Sequence, residues 1–423
     1  MSNLYTEKSI ESLDPRSFTR LKPFVYCGDT TYSTQLLIEG FSNCVDEANL
    51  GHGNIIKVNI NKDIITLEDE GQGFIVNSIR EDGKTILEAA FSVLNTSGKY
   101  RNDGTYEGTS LGAFGIGSKL ICFLSKYLKV TTYRDNKYET IIFKDGLFQS
   151  REVGDEIRHS GTVLKWLPDE QFFTHTEVEI DKIKTLFQTV SCLCKGLTIE
   201  LNDNGNKFIY QSNNGLNDLV DFAVKDKEII KNRFECNYQE NKAKLNLVMT
   251  YTNNYSSTIV PYVNTGLTES GPHITQIKTA ITREFNKFFK DKKWIKEKED
   301  GLSGDDIQEG LYIVFNMTVP SVKYDAQIKS RITGIECKEL INRFTLELRE
   351  WLNYNEKEIK GIADKAITAR KAREAAKKAR EATRNIKTKK EGLKAKMELS
   401  DKLIPCTSKD VSKNNLLIVE GTK

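Results

Sequence analysis

Two side chains suited to catalysis, Glu39 and Asn43, stand four residues apart in the segment EGFSNCVDEA. In a helix this spacing places both on one face, opposite the apolar residues of the same segment. A carboxylate there is suited to act as a general base on water. The carboxamide oxygen is suited to hold Mg²⁺, which prefers oxygen ligands. Taken alone, the pair is more often two ordinary surface residues of a helix.

A second acid, Asp69, is followed by Gly71 and Gly73 in the segment EDEGQG. Glycines allow the backbone to approach a ligand closely, and a carboxylate accepts well from an exocyclic amine such as that of adenine. By itself, the segment is more often an acidic turn closed by glycines.

A third motif contains Gly112, Gly115 and Gly117, ahead of an apolar segment. Glycines that open a helix expose backbone N–H groups to an anion. The motif is neither a dinucleotide-binding fingerprint, because no strand of a βαβ unit directly precedes it, nor a Walker A loop, because Gly-Lys-Ser/Thr is missing.

The residues around these motifs predict an α+β sandwich, with helices on one face of a mostly antiparallel sheet. Apolar periodicity predicts helices over 35–49, 85–95 and 118–127, and strands over 56–60, 65–67, 128–147 and 161–167. The remaining segments are predicted to be an irregular arm (1–34), a hairpin turn (61–63) and a flexible loop (96–117).

A second pattern begins near residue 215. It predicts strands over 244–252, 258–263 and 311–319, and helices over 273–290, 335–353 and 356–384. Residues 385–402 are predicted to be a polar, basic linker, and the final LLIVEGTK a buried strand followed by a turn.

Composition excludes several classes of protein. No segment approaches the ~18 apolar residues of a membrane helix, and the first ten residues lack the pattern of a secretory signal. The 8 cysteines form no CxxC pair, and the 4 histidines are few for a metalloenzyme. This argues against a disulfide framework or a structural zinc site and favours a reducing, cytoplasmic location.

The net charge of +3 conceals a basic segment. Between Arg370 and Lys396 lie 12 Lys or Arg residues but only 3 Asp or Glu residues. Such a segment fits contact with nucleic acid, or simply a solvated charged helix.

The order and spacing of the three motifs, followed by Gly161-Thr162 ahead of a strand, resemble the Bergerat-type (GHKL) ATPase superfamily. Further segments resemble the B subunit of gyrase and its topoisomerase IV counterpart: RLKPFVYCGDT, HSGTVLKWLPD, LSGDDIQEGL, VPSVKYDAQIKSRI and CTSKDVSKNNLLIVEG. The resemblance implies a GHKL ATPase domain with an N-terminal dimerisation arm at 1–214. It also implies a ribosomal-S5-like transducer domain with a long C-terminal helix at 215–385, and a linker with the first strand of a truncated TOPRIM domain at 386–423.

The resemblance also implies roles for individual residues. Glu39 would be the general base, Asn43 would coordinate Mg²⁺ on ATP, and Asp69, supported by Thr162, would bind the adenine amine. The residues that would line the base pocket or form the lid over the phosphates are Gly71, Gly73, Lys99, Gly112, Gly115 and Gly117.

Other matching positions lie outside the three motifs. Gln327 and Lys329 match the ends of the family's Gln-Thr-Lys loop, and Lys329 would reach the γ-phosphate. Tyr5 matches the arm residue that contacts nucleotide in the partner protomer, and Arg134 the arginine that engages coumarin antibiotics. Glu420 matches the first TOPRIM metal ligand, but the rest of that site is absent from the sequence.

The implied function is an ATP-gated dimeric clamp that acts on DNA with a topoisomerase A subunit. The sequence departs from the family at Gln72 (usually Arg), Ser42 (Asp), Phe114 (His) and Ile328 (Thr). The departures at Gln72 and Ser42 keep open a DNA clamp of a phage or mobile element that performs no strand passage. A protein kinase of the same superfamily is a weaker alternative, and a non-enzymatic interaction module the weakest.

Overall fold

The computed structural model describes residues 13–94, 96, 115–225, 227–229, 232–296, 298–320, 322–325, 330–397, 408 and 410–418. The chain divides into two compact units, residues 1–363 and 364–423. The first unit contains both large sheets and all the described residues of the three motifs.

An eight-stranded sheet occupies the first half of the chain. Its strands are β1 (Ile55–Asn61), β2 (Ile64–Asp69), β3 (Ser125–Arg134), β4 (Lys137–Lys144), β5 (Leu147–Asp155), β6 (Gly161–Pro168), β7 (Thr198–Asp203) and β8 (Asn206–Tyr210). Their order is β5-β4-β3-β6-β2-β1-β7-β8. All neighbouring pairs are antiparallel except β1 and β7. The predicted mostly antiparallel sheet is confirmed.

The described part of this region also contains six helices, and the last four of them contact the sheet. They are α1 (Pro15–Leu21), α2 (Phe24–Cys27), α3 (Thr34–Asn49), α4 (Ile86–Ser92), α5 (Gly117–Phe123) and α6 (Ile180–Leu193). The predicted helices at 35–49 and 85–95 and the hairpin of β1 and β2 are confirmed. The apolar stripe of α3 includes Leu37, Phe41 and Val45, which are all buried because they face the sheet.

A five-stranded sheet follows, with strands β9 (Phe234–Glu240), β10 (Ala243–Tyr251), β11 (Thr258–Val263), β12 (Gly266–Leu267) and β13 (Leu311–Thr318). Its order is β12-β11-β13-β10-β9. The remaining elements are α7 (Leu216–Val224), α8 (Pro272–Asp291), α9 (Gly304–Gln308), the hairpin β14 (Val322–Tyr324) and β15 (Ile332–Ile335), α10 (Lys338–Tyr354) and α11 (Glu356–Met397). The predicted strands near 244, 258 and 311 and the three helices of this region are confirmed.

Helix α7 joins the two sheets. Its buried residues Leu216, Val220 and Val224 belong to the apolar cluster of the first sheet, and that cluster also includes Val248 of β10 and Val314 of β13. The first core therefore continues without interruption onto the second sheet.

The prediction of an irregular arm is wrong for residues 15–21 and 24–27, which are helical. Asp14 caps α1, because its Oδ1 accepts from the backbone N–H of Ser17 at 3.1 Å and Pro15 occupies the first helical position. The helix expected over 118–127 ends at Phe123, because Ser125 already belongs to β3.

The prediction of a linker over residues 385–402 is wrong for 385–397, where α11 continues to Met397. Its Lys, Glu and Ala residues are good helix formers, so their intrinsic preference outweighs the polar composition. The buried strand predicted near the end of the chain is also wrong over its described part. Leu416, Leu417 and Ile418 are 80–85% exposed and pair with no described strand.

Candidate active site

Helix α3 brings Glu39 against the first residue of α5. A Cβ placed on Gly117 would lie 3.2 Å from Glu39 Cβ and 3.3 Å from its carboxyl carbon, and would overlap Oε2. Glu39 Oε1 accepts from Gln35 Nε2 at 3.0 Å, so its other oxygen faces the start of α5. Glu39 is half-buried and Asn43, one turn along, is exposed. The motif of Glu39 and Asn43 thus meets the glycine motif that ends at Gly117.

Asp69, the last residue of β2, lies close to the opposite end of α3. Its Oδ1 accepts from the backbone N–H of Gly71 at 2.7 Å, and Cys44 Sγ lies 3.5 Å from its Oδ2. Thr162 of β6 pairs with Asp69 in the register of the sheet. Burial raises the pKa of Asp69 to about 6, although the donated hydrogen bonds oppose that rise.

Gly73 fits a position that a side chain would disturb. Its φ is +66°, and an added Cβ would overlap the carbonyl oxygen of Tyr133 and lie 3.0 Å from Thr132 Oγ1. The next residue, Phe74, donates its N–H to Thr132 Oγ1 at 2.7 Å. Arg134 Nη1 lies 3.5 Å from the Gly73 carbonyl oxygen. The loop after Asp69 is therefore fastened to β3.

Gln72, where the family usually has arginine, takes part in a cluster at the end of α3. Its Nε2 lies 2.8 Å from His52 Nδ1, and its backbone N–H donates to Glu47 Oε2 at 3.3 Å. His52 Nδ1 is 3.3 Å from the same Glu47 oxygen. The backbone N–H of Gln72 and the imidazole of His52 thus both contact the carboxylate of Glu47.

The structure adds residues that the sequence analysis missed. Arg158 Nη2 lies 2.5 Å from Glu68 Oε1, and its guanidinium lies 4.2 Å from the centre of the Tyr133 ring. Glu47 was within reach of sequence reasoning, because it follows Asn43 by four residues and so shares its face of the helix. Arg158 gave no such signal, because it lies in an irregular segment between two strands.

Lys119, in the first turn of α5, is also new. It is 1% exposed, and its Nζ donates to the carbonyl oxygen of Thr96 at 2.8 Å. Burial lowers the pKa of its ammonium group to about 8. This bond ties the start of α5 to the segment that follows α4.

Six predicted site residues lie outside the described part of the chain: Tyr5, Lys99, Gly112, Gln327, Lys329 and Glu420. The departures Phe114 and Ile328 also lie outside it. Ser330 and Ile332, which follow residues 326–329, are hydrogen-bonded to the segment that precedes α8. The N–H of Glu269 donates to the Ser330 carbonyl at 2.7 Å, and that of Ile332 to the Ser270 carbonyl at 3.0 Å.

On α11, the spacing of four residues of the basic segment places them on one side of the helix, the basic face. Arg373, Lys377, Arg380 and Arg384 are all exposed, and Lys377 Nζ lies 4.0 Å from Glu381 Oε1. In the described residues, no group of three or more His, Cys, Asp or Glu side chains is placed to bind a metal ion. No helix in those residues combines the length and apolar character needed to cross a membrane.

Comparison with known proteins gives consistent results. The family described as DNA gyrase B matches residues 215–382. The chain is 30% identical over 434 residues to the B subunit of DNA gyrase from Thermotoga maritima, covering 99% of this chain and 67% of that protein. It is 33% identical over 433 residues to the B subunit of DNA topoisomerase 4 from Staphylococcus aureus, covering 99% of this chain and 64% of that protein. The chain thus spans about two thirds of the length of these curated relatives.

Solved structures agree with the fold. The 43K ATPase domain of Thermus thermophilus gyrase B, solved with an aminocoumarin, superposes with a TM-score of 0.70 at 26% identity and covers 87% of this chain and 98% of that one. The topoisomerase IV ATP-binding domain of Francisella tularensis gives a TM-score of 0.71 at 22% identity, over 84% of this chain and 96% of that one. The predicted ATPase and transducer fold is confirmed, and the chain belongs to the family of the gyrase and topoisomerase IV B subunits.

Proposed function

We propose that this chain binds and hydrolyses ATP as the nucleotide-gated clamp of a bacterial-type II DNA topoisomerase. One observation carries the proposal: α3 contacts both halves of the site. Its Glu39 lies against Gly117 at the start of α5, and its Cys44 lies against Asp69. Five residues of helix span about 7.5 Å, a distance that suits a nucleotide with its base at Asp69 and its phosphates near Glu39.

Each group has a role in this proposal. Asp69 accepts from the exocyclic amine of adenine, with Thr162 beside it, while Gly71 and Gly73 let the backbone approach the base. Glu39 takes the proton of the attacking water, a contribution typically worth about 10²–10⁴-fold in rate. The glycine-rich segment that contains Gly112, Gly115 and Gly117 covers the phosphates together with Lys99.

Asn43 is the residue that would hold Mg²⁺. Its carboxamide is exposed on the same side of α3 as Glu39, which suits an ion that keeps several waters and takes few protein ligands. When bound, Mg²⁺ neutralises charge on the phosphates.

Lys329, with Gln327, is proposed to reach the γ-phosphate from the transducer domain. A cation there stabilises the charge that develops during phosphoryl transfer and makes domain geometry depend on the γ-phosphate. Tyr5 is proposed to contact nucleotide in the partner of an ATP-dependent homodimer.

We also propose the division into an ATPase domain over 1–214, a transducer over 215–385 and the start of a TOPRIM domain over 386–423, with Glu420 as its first metal ligand.

The proposed partners are DNA and a topoisomerase A subunit. The basic face of α11 suits phosphate contact that is independent of sequence and sensitive to salt. Arg134 beside Gly73 suits an aminocoumarin, the ligand named for the Thermus relative. The 7 described cysteines are all free and buried, which fits the reducing cytoplasm.

The decisive experiment measures ATP hydrolysis against protein concentration for the natural sequence, Glu39→Gln and the exposed control Glu177→Gln. We expect a specific rate that rises with concentration, a loss of at least about 100-fold in Glu39→Gln, and no change in Glu177→Gln. ATP binding by Glu39→Gln should survive. Hydrolysis by Glu39→Gln at the natural rate would overturn the assignment of the base, and a rate independent of concentration would overturn the clamp.

A further inference from the structure

Cys44 holds a position in the site that the proposed function leaves unused. It follows Asn43 on α3 and is 4% exposed. Its Sγ lies 3.5 Å from two acceptors, Asp69 Oδ2 and the carbonyl oxygen of Gly40. Both neighbours are hydrogen-bond acceptors, so the sulfur acts as the donor.

The surroundings of Asp69 make this donor important. The other side-chain oxygen already accepts from the N–H of Gly71 at 2.7 Å. Of the charged groups that face Asp69, Glu47 of α3 repels it and pushes its pKa up further. The neighbouring strands present the uncharged residues Ile56 of β1 and Thr162 of β6. The donors that favour the ionised carboxylate are thus N–H and S–H groups.

We propose that Cys44 is a positioning residue for base recognition, whose S–H donates to Asp69 Oδ2 and keeps that carboxylate an ionised acceptor for the exocyclic amine of a 6-aminopurine. The inference rests on the proposed function, because it takes Asp69 as the group that binds the base. The bond leaves further lone pairs on both oxygens for the ligand.

Protonation of Asp69 would turn this carboxyl group from an acceptor of hydrogen bonds into a donor. When Asp69 takes a proton from solvent, the thiol turns to the Gly40 carbonyl oxygen, its second acceptor at 3.5 Å. The protonated carboxyl then offers a donor, which suits the carbonyl of a 6-oxopurine. The preference for a 6-amino over a 6-oxo nucleotide should therefore narrow as the pH falls through about 6.

The first test compares the natural sequence with Cys44→Ala, Cys44→Ser and the control Cys122→Ala, which removes a buried thiol from α5. The affinity for a non-hydrolysable ATP analogue is measured from pH 5.5 to 8.5. The phosphate groups of the nucleotide titrate identically in every experiment. The ratio of the affinities of two proteins at each pH therefore reports on the protonation of Asp69.

We expect Cys44→Ala to match the natural protein at pH 8.5 and to bind about two- to fivefold more weakly at pH 6, since it loses a donor to the ionised form. Cys44→Ser, which keeps a donor, and Cys122→Ala should follow the natural pH profile. Superimposable profiles for Cys44→Ala and the natural protein would overturn the inference. So would a Cys44→Ser profile that follows Cys44→Ala.

A second measurement separates this inference from the proposed function. The carboxyl carbon of Asp69 is titrated by ¹³C NMR in the nucleotide-free protein, and its midpoint should rise in Cys44→Ala. An unchanged midpoint would overturn the role of Cys44 even if Asp69→Asn abolishes ATP binding. Undiminished ATP binding by Asp69→Asn would instead overturn the proposed role of Asp69, while the titration still reports on Cys44.

Discussion

Asp69, in the proposed nucleotide site, and Glu284, in the region of the second sheet, are two buried carboxylates whose charges are treated differently by their surroundings. Burial raises the pKa of Asp69 to about 6, and the hydrogen bonds that oppose the rise come from uncharged donors. Glu284, on α8, is 3% exposed. Burial also pushes its pKa upward, but hydrogen bonds from Arg349 and Arg283 outweigh that effect and leave the pKa below its usual value.

The difference lies in the charged neighbours of each carboxylate. In the second region the anion meets its cations within the protein, at 3.1 Å from Arg349 Nε and 2.9 Å from Arg283 Nε. In the first region the described neighbours of Asp69 include a second acid, Glu47. A buried carboxylate without a compensating cation lowers the free energy of unfolding of the ligand-free protein. A ligand that donates hydrogen bonds to that carboxylate then restores more stability. Of the predictions below, the first tests the packing of the proposed site around Glu39, and the other two test the contrast between Asp69 and Glu284.

The largest effect is expected from Gly117→Ala. The new methyl group would displace the carboxylate of Glu39, because it would lie 3.3 Å from the carboxyl carbon and overlap Oε2. A displacement of about 1 Å at a catalytic group can lower the rate about 100-fold. Steady-state ATP hydrolysis measures the loss.

The matched control is Gly361→Ala on α11, where an added Cβ meets no heavy atom within 4 Å. That variant should keep its activity and gain about 0.5–1 kcal/mol of stability. Equal rates for the two alanine variants would show that Glu39 does not depend on its contact with Gly117.

Asp69→Asn is expected to lose ATP binding and yet stabilise the nucleotide-free protein at neutral pH. Because the folded state holds the Asp69 proton up to about pH 6, against 3.8 for an unperturbed aspartate, the natural protein loses stability as the pH rises between these values. The amide carries no charge, so the variant should gain about 3 kcal/mol above pH 6. Denaturant melts at pH 8 and pH 4 measure the difference, which should vanish at pH 4. A destabilised variant at pH 8 would contradict the contrast.

The smallest effect is expected from Glu284→Gln, and it has the opposite sign. The folded-state pKa of Glu284 lies below its usual value, so its contribution is present at neutral pH and is lost as the pH falls through that lowered pKa. We expect a destabilisation of about 1 kcal/mol at pH 7, with the base pocket unaffected. Urea melts measure it against the exposed control Glu177→Gln, which lies outside any helix. A gain in stability would place Glu284 in the same class as Asp69.

Sequence patterns predicted the elements that carry strong periodicity or turn chemistry. Helix α3 and the hairpin of β1 and β2 were predictable because their apolar residues alternate or recur at the correct spacing. The capping of α1 by Asp14 and Pro15 was a readable signal that the prediction of an irregular arm overlooked. Elements between residues 180 and 240, such as α6 and β7, were not assigned from the sequence and were supplied by the structure.

For the candidate site, too, placements within one motif were predictable and contacts between distant segments were not. The placement of Glu39 and Asn43 on one helix, and of Asp69 at the end of a strand, was predictable because each lies within one motif. Contacts such as that of Arg158 with Glu68, residues on different segments brought together by the sheet, depend on tertiary structure. The hydrogen bond of Cys44 with Asp69 joins a helix to a strand 25 residues away, and only the folded chain reveals it.

Helix α7 has a practical consequence for dividing this protein. Since Leu216, Val220 and Val224 complete the core of the first sheet, a fragment cut at the predicted boundary of 214 would uncover an apolar surface and invite aggregation. A fragment for inhibitor screening should therefore extend through Val224. Even then it would lack the cover that Val248 and Val314 supply from the second sheet, so polar replacements on that face would be needed to keep the fragment in solution.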